Sequence, residues 1–287
     1  MPEIVCPAGF ADRLDKALSV LFVPLSRSRA RQLIAAGSVF IDGRRCRVAS
    51  RFVRGGNRLR IEGMAQPSPM PLGVLYVDDA CVAVDKPPGM PSAPTRKAAE
   101  GTALEVLRRQ LREPNRGAAD LWLVHRLDQG TSGVLLFART RAAAIALQAA
   151  FRDHHVEKEY LAWVTGAVKG DDGSIDAPLL VGARRAVLAG GSDEMQADGE
   201  ERSAHTDWAV VERRAERTLV RLAPRTGRMH QLRVHMQSIG HPILGDRFYG
   251  GPSASRLMLH ALRLRFPHPT NGTAIEVVAP LPIGFTG

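Results

Sequence analysis

Cysteine, lysine and long apolar runs are all scarce in this chain. The three cysteines, Cys6, Cys46 and Cys81, are odd in number, far apart and without a CxxC pair, so neither a disulfide framework nor a zinc knuckle is suggested. A reduced, cytoplasmic setting is expected. No apolar run approaches the roughly 18 residues a membrane span needs. The opening MPEIVCPAGFADRLDK lacks a basic segment followed by an apolar one, so no membrane association is expected. Neither a GxGxxG fingerprint nor a Walker loop is present to cradle a dinucleotide or a nucleoside triphosphate. No internal repeat or low-complexity tract appears.

What is present is arginine. Only five of the 39 basic residues are lysine (Lys16, Lys86, Lys97, Lys158 and Lys169), which leaves 34 arginines. A net charge of +10 suggests a polyanionic partner. Base composition of the genome could contribute to the arginine excess as well as phosphate contact. The charge is uneven: Met1 to Gly63 holds 12 Arg and Lys against 5 Asp and Glu, a net of +7. At 287 residues, 45% hydrophobic and 24% charged, the chain can build one large domain and a small one.

In chain order, Asp12 is positioned to cap a helix through Leu14, Leu18 and Leu21 that Pro24 would stop. Ser26 would cap a second helix with Ala30, Leu33 and Ile34 inward and Gly37 at its end. Arg27 and Arg31, one turn apart, share a face that can point outward. Val39 to Ile41, the turn Asp42-Gly43, and a return arm holding Arg45, Arg47 and Val48 read as a hairpin. GMAQPSPMPLG, rich in proline and free of charge, reads as a linker. Two strands around Asp78-Asp79 follow, then a Pro-rich loop and a helix over Gly101 to Arg112.

The centre of the chain is LWLVHRLDQGTSGVLLFAR, residues 121–139. The short apolar runs LWLV and VLLFA read as buried strands, so Asp128 sits in a loop pinned between them. A carboxylate there is either a turn residue accepting backbone N–H bonds or a positioned nucleophile or base. Thr140 can cap an alanine-rich helix to Arg152, and HVEKEYLAWVTGAV alternates as strands do. Gly182 to His205 reads as an exposed irregular excursion, either one that orders on RNA or, as favoured here, a variable insertion. Met229, Leu232, Met236 and Ile239 recur at 3, 4, 3 spacing as one helix face. Thr226 and Gly227 are placed at that helix's N-terminus, with Arg225, Arg228, His230, Gln231 and Arg233 around an anion-favouring end. His230 and His235 are read as surface histidines rather than metal ligands, since HExxH spacing is absent.

HRLDQGTSGVLLFAR resembles the catalytic signature of the RluA-type pseudouridine synthases. KEYLAWVTG resembles that family's K-x-Y segment, TGRMHQLRVH with GHPILGDRFYG its TGRxHQ motif, and RLMLHALRLRFPHP its closing segment. LYVDDACVAVDKPPGMPSAPT resembles its KPxG segment, except that PSAPT stands where a His is common. From about Ala11 to Glu62, with SRSRARQLIAAGSVFIDG as the most diagnostic piece, the chain resembles an S4 RNA-binding domain; Asn57 replaces the usual Asp.

The resemblance implies an α+β protein, with a pseudouridine synthase fold built on a mixed, mainly antiparallel sheet and a small N-terminal S4-like α/β module. The expected domains are 11–62, a linker over 63–74, and a catalytic domain over 75–283. The implied reaction isomerises uridine in RNA without metal or coenzyme. Asp128 would be the catalytic carboxylate, Arg233 the cation beside it, and Tyr160 a group that stacks on the uracil or moves a proton. Arg126 would fill the space left by a flipped base. His125, Arg27, Arg31, Arg45, Thr226, Arg228, His230 and Gln231 are the other expected RNA contacts. A monomer acting on large-subunit ribosomal RNA is expected, with transfer RNA, or a non-catalytic role in ribosome assembly, as alternatives.

Overall fold

The computed structural model describes residues 3–22, 25, 27–62, 71–94, 101–112, 120–182, 186–190 and 199–285. Two compact units form, Met1–Met70 and Pro71–Gly287.

In the first unit, β1 (Glu3–Val5) and β2 (Ala11–Arg13) precede α1 (Leu14–Leu21) and α2 (Arg27–Ala35). β3 (Val39–Ile41), β4 (Arg44–Cys46), β5 (Phe52–Arg54) and β6 (Arg58–Ile61) follow. The strand order is β1-β6-β3-β4, and β2 pairs with β5. Asp42 and Gly43 both take positive φ, 49° and 78°, as a two-residue turn between β3 and β4 requires. Leu14, Leu18, Ala30 and Ile34 from the helices bury against Val39, Val53, Leu59 and Ile61. Cys6, Cys46 and Cys81 are all buried free thiols.

Asp12 does not cap α1. It belongs to β2, where its carboxylate accepts from the Arg13 N–H. The leading N–H groups of Leu14 and Asp15 are satisfied instead by the carbonyls of Arg51 and Ala49, so no side-chain cap is needed. Pro24 and Ser26, expected to stop α1 and start α2, lie outside the described residues. The return arm of the hairpin ends at Cys46, leaving Arg47 and Val48 beyond it.

The second unit begins with β7 (Gly73–Val77), two residues before the expected domain start, and β8 (Cys81–Lys86). Next come α3 (Ala103–Gln110), β9 (Trp122–Leu123), β10 (Ser132–Ala138), α4 (Arg141–Arg152) and β11 (Glu157–Thr165). β12 (Asp172–Asp176), β13 (Leu179–Gly182), β14 (Ala186–Leu188), β15 (Gly199–Arg202), β16 (His205–Arg214) and β17 (Arg217–Pro224) lead to α5 (Gln231–Ser238). β18 (Leu259–Pro267) and β19 (Ala274–Val278) complete it.

A ten-stranded sheet runs β12-β16-β17-β11-β18-β10-β8-β7, with β19 on β18 and β9 on β10. Among the described residues only the β10–β18 pairing is parallel, so the sheet is mixed and mainly antiparallel. β10 is buried on both faces. Val134, Leu136 and Ala138 meet Ala143 and Leu147 of α4, whereas Leu135 and Phe137 meet Val106 and Leu107 of α3. This explains a continuous apolar run in place of alternation. Thr102 and Thr140 cap α3 and α4 through their hydroxyls. Between β11 and β18 the register slips: Glu159 faces Arg263 and Tyr160 faces Ala261, so Leu262 is an extra residue.

Within the excursion expected over Gly182 to His205, the described residues are part of the fold. β14 and β15 pair with β13 in a three-stranded sheet, and Ala186 and Ala204 are buried with Val234 and Tyr249. LWLV contributes only Trp122 and Leu123 to a strand.

Candidate active site

Asp128 lies in the turn between β9 and β10, its carbonyl accepting from the Thr131 N–H. The segment following β8 straps this turn down. Ser92 Oγ both accepts from the Leu127 N–H and donates to the Leu127 carbonyl, and Gly89 and Gln129 exchange two further bonds. Beneath it Lys86, fully buried, donates to the carbonyls of Pro87, Met90 and Gln129. Burial lowers the Lys86 ammonium to about 7, against the opposing pull of Asp128. Close approach of β10 to β18 requires glycine at 133: φ is +107°, and a Cβ there would stand 2.1 Å from the Ala261 carbonyl oxygen.

Arg233 reaches the same place from α5. That helix starts at Gln231, later than the spacing predicts, and buries every residue from Gln231 to Met236. A helix enclosed all round has no amphipathic face to read, which is why the periodicity overruns it. Thr226 and Gly227 are therefore not its N-terminus. His230 stands there, with φ of 55°.

The Arg233 guanidinium is shared by two carboxylates. Asp246, itself wholly buried, takes Nε and Nη2, both at 2.7 Å. Nη1 extends to Asp128 Oδ2 at 3.3 Å. Tyr249 and Phe248 lie over the guanidinium, their ring centroids 4.9 and 5.6 Å from its carbon. Burial works against the charge on Arg233, but Asp246 and Asp128 outweigh it and raise its pKa. The Asp128 side chain is 25% exposed and borders a cavity of about 540 Å³.

Tyr160, Arg126, His125, Lys158, Thr226, Arg228, His230 and Gln231 line that cavity with Asp128 and Arg233. Their chemistry differs. Tyr160 is raised above the ordinary phenol range by burial and by the charge of Asp128. Burial lowers Lys158 to about 8, with a further push from Arg228, and its ammonium donates to the Thr226 carbonyl. His125 is depressed by burial to about 3; its Nε2 accepts from the Leu136 N–H and its ring stacks on Phe151 at 4.6 Å, so it is a neutral packing residue. Gln231 has its amide fully engaged: the oxygen accepts from Thr226 and the Arg228 N–H, and the nitrogen donates to the His205 carbonyl and Thr206. Thr226 and Gln231 thus hold the wall in shape rather than offer free groups to a ligand.

Neither expected surface histidine is on the surface. His235 is fully buried between Thr206 and the Ala177 carbonyl. His230 contacts the Tyr249 hydroxyl through Nδ1 at 2.8 Å and brings Nε2 to 3.8 Å from Asp128. Among the described residues no cluster of three or more His, Cys, Asp or Glu side chains is suited to a metal, and no helix is long and apolar enough to cross a membrane.

In the small unit, Arg27 and Arg31 do not stand free. With Arg13 they bond the carboxylate of Asp15, which is fully buried, while the arginine side chains stay 47%, 56% and 43% exposed. Burial raises the Asp15 pKa, yet the hydrogen bonds from Arg27, Arg31 and Arg13 prevail and hold it well below the carboxylate range. Arg45 lies over the Phe40 ring at 5.2 Å.

Sequence reasoning missed Asp246, Lys86 and Asp15. The signal for Asp246 is a lone acid in the glycine-rich HPILGDRFYGG.

An RNA pseudouridylate synthase family model matches residues 80–238, and an S4 domain model matches residues 12–59. A ribosomal large subunit pseudouridine synthase D from Xanthomonas campestris pv. campestris is 35% identical, over 97% of this chain and 88% of the relative. An uncharacterized RNA pseudouridine synthase from Aquifex aeolicus is 34% identical over 92% and 88%. Among solved structures, human RNA pseudouridylate synthase domain containing 1 superposes with a TM-score of 0.62 at 28% identity, covering 74% of this chain and 84% of that one.

Proposed function

The chain belongs to the RNA pseudouridylate synthase family, and we propose that it isomerises uridine to pseudouridine in large-subunit ribosomal RNA with Asp128 as the reacting carboxylate. The enzyme is an isomerase. In the reaction the N1–C1′ bond breaks, the uracil turns, and a C5–C1′ bond forms; C5 loses a proton and N1 gains one, so the change is redox-neutral. The target RNA rests on the relatives named ribosomal large subunit pseudouridine synthase D, which match nearly the whole chain. The observation that carries the site is the shared guanidinium: Arg233, fixed by Asp246, directs its remaining edge at Asp128 inside the cavity.

On this reading Asp128 either attacks C1′ or captures the sugar once the base has left. Arg233 keeps the carboxylate aimed into the cavity, and Asp246 keeps Arg233 from turning away. Tyr160 acts as a neutral phenol against the uracil. Acting as a base would require the phenolate, which burial and the neighbouring Asp128 both oppose. Arg126, exposed at the cavity wall, takes the place of the extruded base in the RNA stack.

Mapping pseudouridine in ribosomal and transfer RNA from cells with and without this protein tests the assignment. Loss of a site in large-subunit ribosomal RNA is expected. Loss confined to transfer RNA would replace the substrate, and an unchanged map together with no hydrogen release from C5-labelled uridine RNA would remove the activity.

A further inference from the structure

Phe248 is the most exposed phenylalanine among the described residues, at 73%. Its place is set by a rigid turn. Asp246 Oδ1 accepts from the backbone N–H groups of both Phe248 and Tyr249 while the same carboxylate clamps Arg233. Tyr249 turns inward and is buried; Phe248 turns out. The Phe248 ring rests against two residues of the cavity wall, 6.3 Å from the His230 ring at a 50° tilt and 5.6 Å from the Arg233 guanidinium carbon. The rest of the ring is in water. The next residue back, Arg247, is exposed and makes no ion pair among the described residues.

A large apolar ring held in solvent at the edge of a cavity is suited to a flat apolar partner. RNA entering this site brings one. Extruding a uridine into the cavity takes a stacking partner from the base on each side of it; Arg126 serves one of the two, and an aromatic side chain beside the opening can serve the other whatever the base. We propose, resting on the function proposed above, that Phe248 is a stacking platform for the nucleobase adjacent to the target uridine, with Arg247 beside the connecting phosphate. The site then engages at least a dinucleotide step, and it favours a purine neighbour through the larger stacked area.

The test compares binding of the full chain to two RNA pentanucleotides, one with a central uridine flanked by adenosines and one with abasic flanks. Pseudouridine formation in ribosomal RNA is followed in parallel. The wild-type protein should bind the adenosine-flanked RNA about tenfold more tightly, the usual scale of one stacked base. Phe248→Ala should bring the two affinities to within about twofold by weakening only the first, and Phe248→Trp should keep the difference. A wild-type protein that does not discriminate, or a Phe248→Ala variant that still does, overturns the platform while normal pseudouridine formation leaves the functional reading standing. Absence of both RNA binding and pseudouridine formation overturns the two together.

Discussion

The two units use the same pair of chemical groups in opposite proportion. In the small unit one buried carboxylate, Asp15, gathers three arginines whose side chains remain about half exposed. In the large unit one nearly buried arginine, Arg233, is gathered by two carboxylates, Asp246 wholly enclosed and Asp128 partly open. In each case the outnumbered group is the anchor, and the surplus charge faces outward. The small unit therefore presents positive charge over a surface, which suits a phosphate backbone and carries no sequence information. The large unit presents one negative charge at a point, which suits chemistry at a single atom.

The most severe way to break this comparison is to remove the outward charge of the large unit. Asp128→Asn should lower pseudouridine formation ~10³-fold or more, since a nucleophile takes its whole contribution with it, and leave RNA affinity nearly unchanged. Single-turnover assays with parallel binding measurements check this; retained turnover would deny Asp128 its role. Removing the enclosed carboxylate that clamps Arg233 should act on stability instead. Asp246→Asn leaves a buried guanidinium with half its compensation and should cost ~3–5 kcal/mol in denaturant unfolding, with turnover falling as Arg233 loses its aim. Stability unchanged by this substitution would mean that Asp246 does not hold Arg233 in place.

The corresponding change in the small unit should be milder, because its arginines can return to water. Asp15→Asn should weaken RNA binding by up to ~10-fold and flatten the salt dependence by ~0.7–0.9 in log–log slope for each phosphate the arginines no longer neutralise. Unchanged slope would separate these arginines from RNA. The sharpest discrimination is in acid. Because the folded pKa of Asp15 lies below its ordinary value, its contribution to stability is complete above the ordinary carboxylate range near ~4 and fades as pH falls through the depressed value. The wild-type protein should lose stability in that window and Asp15→Asn should lose less, as read by thermal unfolding across the acid range.

Much of the site is legible in the sequence where chemistry and local pattern coincide. Asp128 stands out because two apolar runs bracket a polar turn, and Thr102 and Thr140 conform to capping rules at helices of ordinary length. What escapes depends on packing between distant segments. Asp246 becomes a clamp only when Arg233 folds beside it, and His235 is polar in sequence yet enclosed by Thr206 and the Ala177 carbonyl. The strands within 182–205 are three and four residues long. One of them, Gly-Glu-Glu-Arg, is exposed along its whole length, so nothing in its composition signals pairing with β13. Thr226 and Gly227 pass for a helix start because enclosure of α5 on all sides erases the contrast between its faces.

The extra residue at Leu262 reaches further than its own position. Leu259 and Ala261 point to the same side of the sheet as Tyr160, and so do Leu264 and Phe266 further along, although an unbroken two-residue beat would have assigned that side to Arg263 and Arg265. The strand thus changes step once, midway, so that the cavity wall and the hydrophobic interior share one surface. Deleting that single leucine would leave Arg263 and Arg265 on their present side, whereas straightening the bulge with every residue kept would drive two guanidinium groups toward the packing of α4. What β18 does not tolerate is an odd shift of register with no bulge to absorb it, so insertions belong in its flanking turns.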